Sequence, residues 1–198
     1  MELFPYSIYK KLRELSAPID EIVNLIPYSS SVLDVGCGRG VMAERILRER
    51  KPERYVGVDI DESRILKLKK RFADAEFVSM DAKEYVKLLK DKNETFSCIL
   101  FSDILYLLSD EDAVSLIYGA YELLKIDGLM IVKEVDLNLP VWLQEFISVK
   151  LLRMTRGKDL YLRDVEFYER LLDNRGLNFA IIKYRRLWYP HIIITLRK

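Results

Sequence analysis

The chain has little of what several site chemistries require. Its single histidine, His191, excludes a His-rich metal site, so no metal centre is expected. Two cysteines, Cys37 and Cys98, are too few for a disulfide-scaffolded secreted module. No apolar run approaches the roughly eighteen residues that a membrane span needs. The start, MELFPYSIYKKLREL, lacks the basic region, apolar run and small-residue cleavage site of a signal peptide. A reducing, cytoplasmic setting without membrane insertion is therefore expected. Glutamine occurs once, at Gln144, and asparagine five times, beside abundant Lys, Arg and Glu. That bias is commoner in proteins from hot environments, where charge networks cost less desolvation and amides are labile. Charge of one sign is also missing: 32 Lys+Arg against 31 Asp+Glu leave +1. A histone-like polyanion binder is thereby disfavoured, although a local basic patch is not.

What is present fits one domain. No repeat, low-complexity tract or linker divides the 198 residues, and half of them are hydrophobic, enough for a sizeable core. Short apolar runs alternate with amphipathic segments. Strands are expected at 31–35, 55–60, 75–79, 96–101 and 128–135, with helices at 41–50, 61–72, 82–90 and 110–124 between them. Crossovers of that length predict a mostly parallel, doubly wound sheet with helices on both faces. Residues 5–26 read as one or two helices broken at Pro18 and closed by Pro27, and 139–154 as an amphipathic helical insert. A helix over 165–174, capped by Asp164 and ended by Gly176, precedes two strands at 178–186 and 191–196. Their join, Leu-Trp-Tyr-Pro, is too short for a crossover, so the two strands must be antiparallel. The expected architecture is a seven-stranded α/β sheet with an antiparallel last strand and an N-terminal helical cap.

Val32-Leu-Asp-Val-Gly-Cys-Gly-Arg-Gly40 places Gly36, Gly38 and Gly40 between the first strand and its helix. Glycines there allow a tight turn and close approach to a ligand, and the helix start offers free N–H groups to a carboxylate or a phosphate. Asp34 lies inside the first strand, where a lone carboxylate is costly unless something polar meets it. Asp59 ends the second strand and Asp81 follows the third. All three acids fall at the carboxyl edge of adjacent strands, where open α/β sheets bind ligands. Asp81 can equally be a helix cap.

These motifs resemble the class I S-adenosylmethionine-dependent methyltransferases, over about Ser30 to Leu196. VLDVGCGRG looks like that family's cofactor loop, YVGVDID its second motif, SMDAKEY its third, FSCILFSDILYLL its fourth and LLKIDGLMIVKE its fifth. The resemblance implies S-adenosyl-L-methionine as cofactor, cradled by Gly36, Cys37, Gly38 and Gly40. It implies Asp34 toward the methionyl ammonium through water, with backbone near Ser102 adding to it. Asp59 and Ile60 would serve the ribose, Asp81 the adenine amino group and the Ala82 backbone the ring edge. It also implies a closing antiparallel strand at the sheet edge, matched by 191–196, and a division into cap (1–28), cofactor-binding core (29–136), helical insert (137–163) and C-terminal helix with hairpin (164–198). The chain departs from the pattern at Ser97, where the fourth motif usually begins with Asp, at Tyr106-Leu107 in place of paired His, and at Ile126-Asp127-Gly128 in place of Pro-Gly-Gly. A nicotinamide dehydrogenase is the nearest rival, but its fingerprint needs G-x-G-x-x-G and this loop has Val41 at the third glycine.

Methyl transfer from a sulfonium needs alignment and exclusion of water more than it needs protein chemistry. Tyr106 is the best-placed polar group for the acceptor and a weak candidate for a catalytic role; Glu134 and Asp136 are placed similarly. Tyr6 and Tyr9 on the N-terminal helices, with Trp142 and Phe146 in the insert and the 155–163 loop, would line the acceptor site. His191 and Cys37 read as structural rather than catalytic. A small-molecule acceptor is the first expectation. RNA or protein is the second, since Lys183, Arg185 and Arg186 stand beside Trp188 and Tyr189. An Asn/Asp-Pro-Pro-Tyr motif for exocyclic adenine methylation is absent after the fourth strand. A non-catalytic partner subunit would not need the intact loop and acids. Residues 1–144 carry 20 basic and 25 acidic groups, net −5, and residues 145–198 carry 12 and 6, net +6. An anionic acceptor docking against the C-terminal quarter is therefore compatible with the near-neutral total.

Overall fold

Continuous β-branched and apolar runs make strands that can be covered on both faces, and the computed structural model, which describes residues 5–137, 160–186 and 189–198, shows this arrangement. In chain order the elements are α1 (Tyr6–Ser16), α2 (Ile19–Leu25), β1 (Ser31–Val35), α3 (Val41–Glu49), β2 (Arg54–Asp59), α4 (Glu62–Arg71), β3 (Glu76–Ser79) and α5 (Ala82–Asp91). They continue as β4 (Phe96–Ser102), a 3-10 turn (Leu105–Leu107), α6 (Asp110–Glu122), β5 (Leu124–Val135), α7 (Val165–Asp173), β6 (Asn178–Arg186) and β7 (Tyr189–Arg197). The expected helical insert at 139–154, with Trp142 and Phe146, most of the 155–163 loop, and Trp188 lie outside the described residues.

The strands form one seven-stranded sheet in the order β3-β2-β1-β4-β5-β7-β6. The first five are parallel neighbours, and β7 is antiparallel to both β5 and β6. One expectation needs correction: the antiparallel last strand is not at the edge. After α7 the chain returns one strand-width beyond β5 as β6, and β7 turns back into the slot between them. There it pairs on both sides, Val135↔His191 toward β5 and Tyr184↔His191 toward β6. The edge is β6. A second difference concerns β5, which starts at Leu124 instead of 128; Leu124 pairs with Phe96 before a register shift, and Lys125 to Asp127 bulge into solvent.

Successive β-strand side chains point to opposite faces, so each strand feeds two cores. Leu33, Val35, Val56, Val58, Ile99 and Phe101 pack with α5, α6 and α7 on one face. Val32, Tyr55, Cys98, Leu100 and Ile131 pack with α2, α3 and α4 on the other. Side-chain caps fix several helix starts: Asp61 accepts from Ser63 N at 3.0 Å, Ser109 from Asp112 N at 3.2 Å and Asp164 from Phe167 N at 2.9 Å, each cap worth about 1 kcal/mol. α1 and α2 part at Ala17-Pro18, where Ala17 is extended. Among the described residues no helix is long and apolar enough to cross a membrane, and no group of His, Cys, Asp and Glu could hold a metal ion.

Candidate functional site

The turn after β1 is built by backbone bonds that only glycine conformations permit. Gly36 N and Cys37 N both donate to Val58 O, at 2.8 and 3.0 Å, so the loop is pinned to β2. Gly36 and Gly38 have φ of +76° and +55°, in the left-handed region. The two glycines differ in what lies above them. A Cβ on Gly36 would fall 2.5 Å from Ile104 Cδ1, because the Ile104 side chain already fills that space. A Cβ on Gly38 would meet nothing nearer than Gly36 O at 3.8 Å. Gly38 therefore presents bare, open backbone at the carboxyl edge of the sheet.

Three carboxylates surround this opening in different states. Asp59, at the end of β2, accepts from Gly38 N at 3.0 Å and from Asp61 N at 2.8 Å, one bond on each oxygen. Each oxygen keeps a lone pair for a further donor. Asp34 is 1 % exposed and accepts from the Tyr55 hydroxyl at 2.5 Å. Burial pushes its carboxyl up to about 7, a rise that the Tyr55 bond opposes and the Asp59 charge reinforces. Asp81 is the N-cap of α5, accepting from Lys83 N at 2.8 Å and Glu84 N at 3.3 Å. Ala82 is the first residue of that helix, and Ile60 is exposed beside Asp59. The Cys37 thiol is buried and pushed up by that burial and by Asp34 and Asp59, so it stays a thiol.

On the other side of the opening, the segment after β4 is held from all directions. Ser102 ends β4, half-buried. Asp103 sits at φ +58°, and its carboxylate is shared between Arg13 of α1 and Lys133 of β5, the latter at 2.5 Å. Glu134 Oε1 accepts from Ile104 N at 3.1 Å and Leu105 N at 2.8 Å, capping the start of the 3-10 turn. Arg163 closes its end: Nη1 donates to Leu105 O at 2.8 Å, Nη2 to Leu108 O at 2.7 Å and Nε to Asp110 at 2.9 Å. Tyr161 N donates to Tyr106 O at 2.8 Å. Tyr106 itself is 5 % exposed within this turn. Burial, and then the Asp103 charge, push the Glu134 carboxyl up to about 8. Asp103 moves the other way: the fields of Arg13 and Lys133 outweigh its burial and hold it far below the carboxylate range. His191 Nε2 lies 2.6 Å from Ser16 O, and burial lowers its imidazole to about 3, so it is neutral.

The N-terminal tyrosines are committed to packing α1 on α3, the helix after the glycine loop. The Tyr6 hydroxyl donates to Glu44 at 2.7 Å, and its ring lies 4.0 Å below the Arg71 guanidinium. Arg39, between Gly38 and Gly40, stacks over the Tyr9 ring at 4.5 Å. The basic end of β6 is divided. The Tyr184 hydroxyl donates to Glu21 of α2, and Arg186 approaches Glu21 and Asp20 at 3.6 and 3.8 Å. Lys183 and Arg185 stay exposed. Asp136 is half-buried just past β5.

The site thus joins a glycine turn pinned to the neighbouring strand with an acid that ends that strand, on a sheet whose antiparallel β7 lies between β5 and β6. A family model described as "Methyltransferase domain" matches residues 32–128. Residues 32–128, just under half of the chain, are therefore similar to a methyltransferase domain. The chain is 33% identical over 102 residues to "Putative methyltransferase GWCH70_2453" of Geobacillus sp. (strain WCH70), an alignment covering 50% of this chain and 40% of that protein. The chain thus spans well under half the length of that relative. Two solved structures show the same fold. A SAM dependent methyltransferase from Archaeoglobus fulgidus has a TM-score of 0.73 at 19% identity, covering 98% of this chain and 100% of its own. The 1,6-didemethyltoxoflavin-N1-methyltransferase of Burkholderia thailandensis, with bound 1,6-didemethyltoxoflavin and S-adenosylhomocysteine, scores 0.71 at 17% identity over 98% of this chain and 83% of its own.

Sequence reasoning overlooked Tyr55, Arg13, Asp103, Lys133 and Arg163. Lys133 carried a usable signal: it interrupts the apolar run Leu129-Met-Ile-Val-Lys, as Asp34 interrupts Val32-Leu-Asp-Val. Arg163 carried none, since its carbonyl partners lie 58 and 55 residues away in the chain.

Proposed function

We propose that this domain binds S-adenosyl-L-methionine along the carboxyl edges of β1, β2 and β3 and transfers its methyl group to a small-molecule acceptor. The observation that carries the reading is the uncovered backbone at Gly38 beside the two half-used oxygens of Asp59. The residues fit the cofactor. Asp59, with Ile60 alongside, would accept from the ribose diol, and Gly36 to Gly40 would let the backbone approach the methionyl part. Asp34 would balance its ammonium, and the Asp81 and Ala82 turn would hold the adenine. The cofactor supplies an electrophilic methyl with its leaving group attached; this chain's residues bind, orient and exclude water. Ser102 and the clamped turn bearing Tyr106 form the wall opposite the glycine loop, on the acceptor's side.

A small molecule is favoured over RNA because part of the basic cluster is already spent: Arg186 and Tyr184 face α2's acids, leaving Lys183 and Arg185 for an anionic partner. The solved neighbour that holds 1,6-didemethyltoxoflavin also acts beside a small molecule. A labelled methyl-transfer screen across metabolite and RNA pools tests the reading. Label in a metabolite, lost in Asp59→Ala, supports it. Label only in RNA moves the acceptor to the polynucleotide class, and label in neither pool contradicts the transferase.

A further inference from the structure

α1 is an unusual element in this fold because none of its residues is buried. Ion pairs and stacked rings hold it instead. Its first turns are anchored over the cofactor loop's helix by Tyr6 and Lys10 on Glu44 and by Arg39 on the Tyr9 ring. Its far end is anchored by Arg13 on Asp103, at the exit of β4, and by the Ser16 carbonyl on His191 Nε2 of β7. Asp103 occupies the left-handed region, at φ +58°, which aspartate tolerates better than most residues and which its surroundings here reinforce. Those surroundings are specific. Arg13 takes one carboxylate oxygen and Lys133 the other, and Asp103 N donates to Lys133 O at 3.0 Å. The next residue is Ile104, whose side chain occupies the space above Gly36.

We propose that Asp103 is a positioning residue through which Arg13 couples α1 to the cofactor loop. The ion pair holds the exit turn in the conformation that seats Ile104 on Gly36, so docking of α1 and binding at the glycine loop support each other. The inference rests on the functional reading above. Charge balance explains why this contact is the separable one. If Arg13 leaves, Asp103 and the fully buried Lys133 remain a neutral pair, whereas loss of Asp103 strands the buried Lys133 cation. The extended Ala17, followed by Pro18, separates α1 from α2, whose Ile19, Ile22 and Val23 are in the core. Coupling is reciprocal, so a ligand at the glycine loop must tighten α1 if α1 tightens the ligand.

The test combines S-adenosylhomocysteine affinity with hydrogen exchange of the whole chain. In the wild type, saturating S-adenosylhomocysteine should slow exchange of the α1 amides. Arg13→Met, which keeps the aliphatic stem, should weaken binding about tenfold and abolish that protection while leaving exchange of the sheet unchanged. Arg13→Lys, which keeps a cation at this end of α1, should recover most of both. Wild-type binding without protection of α1, or Arg13→Met binding as tightly as wild type, overturns the coupling and leaves the cofactor site standing. A wild type that binds no S-adenosylhomocysteine overturns the site itself and the coupling with it.

Discussion

The two sides of the opening solve the same problem, fixing a loop at the carboxyl edge of a sheet, by opposite means. On the β1–β2 side the backbone does most of the fixing. Gly36 and Cys37 hang from Val58 O, and the carboxylates that help, Asp59 and Asp81, sit at the rim with capacity to spare. On the β4–β5 side the fixing is done by buried side chains with little left over. Arg163 spans two carbonyls, Glu134 two N–H groups, and Asp103 two cations. A group engaged at half its capacity can take a ligand, and a fully engaged buried group mainly determines shape. Substitutions on the first side should therefore be read in affinity and those on the second in stability, apart from Arg13, which lies on α1 and leaves the buried Asp103–Lys133 pair in place.

The largest expected effect is on the second side. Arg163→Met leaves the Leu105 and Leu108 carbonyls without their partner and should cost about 2–5 kcal/mol of unfolding free energy. Chemical denaturation measures it, and a loss below 1 kcal/mol would mean that the turn is held by something else. Asp59→Ala comes next and should break the symmetry of the comparison. Affinity for S-adenosylhomocysteine should fall about 10- to 100-fold, with only about 1 kcal/mol lost in stability. Equal affinity would remove Asp59 from the ribose.

Two pH effects sharpen the contrast. Asp34 rises from 3.8 when unfolded to about 7 when buried, so the native state holds the extra proton between these values. Stability contributed by that proton is present at the acid end and declines as pH rises through the window. A cationic ligand group favours the ionised form, so affinity should increase from pH 6 toward pH 8. Asp34→Asn should flatten the profile, and an unchanged slope would assign it elsewhere. Glu134 shifts from 4.5 to about 8 with the same sign. Glu134→Gln keeps an acceptor for Ile104 N and Leu105 N, so as pH rises from 4.5 to 8 its Tm should gain on the wild type while affinity barely changes.

This contrast also explains what could be read in advance. The strands up to β5 and their parallel sense follow from the spacing of apolar runs. The glycine loop and the acids ending β1 and β2 are local in sequence, so Gly36, Gly38, Asp34 and Asp59 were legible as a set. The position of β7 was not, because a hairpin fixes that β6 and β7 pair without deciding which of them meets β5. The clamp on the β4 exit was illegible for another reason: its members come from α1, β5 and the segment before α7, and only the fold brings them together. Asp81 shows the limit within a motif, since the same carboxylate that caps α5 stands where an adenine contact is expected.

The most direct test is calorimetric titration of S-adenosylhomocysteine into the wild-type chain at neutral pH. Saturable binding at one site per chain, weakened in Asp59→Ala, is the predicted result. No heat up to millimolar ligand would contradict the account at its centre.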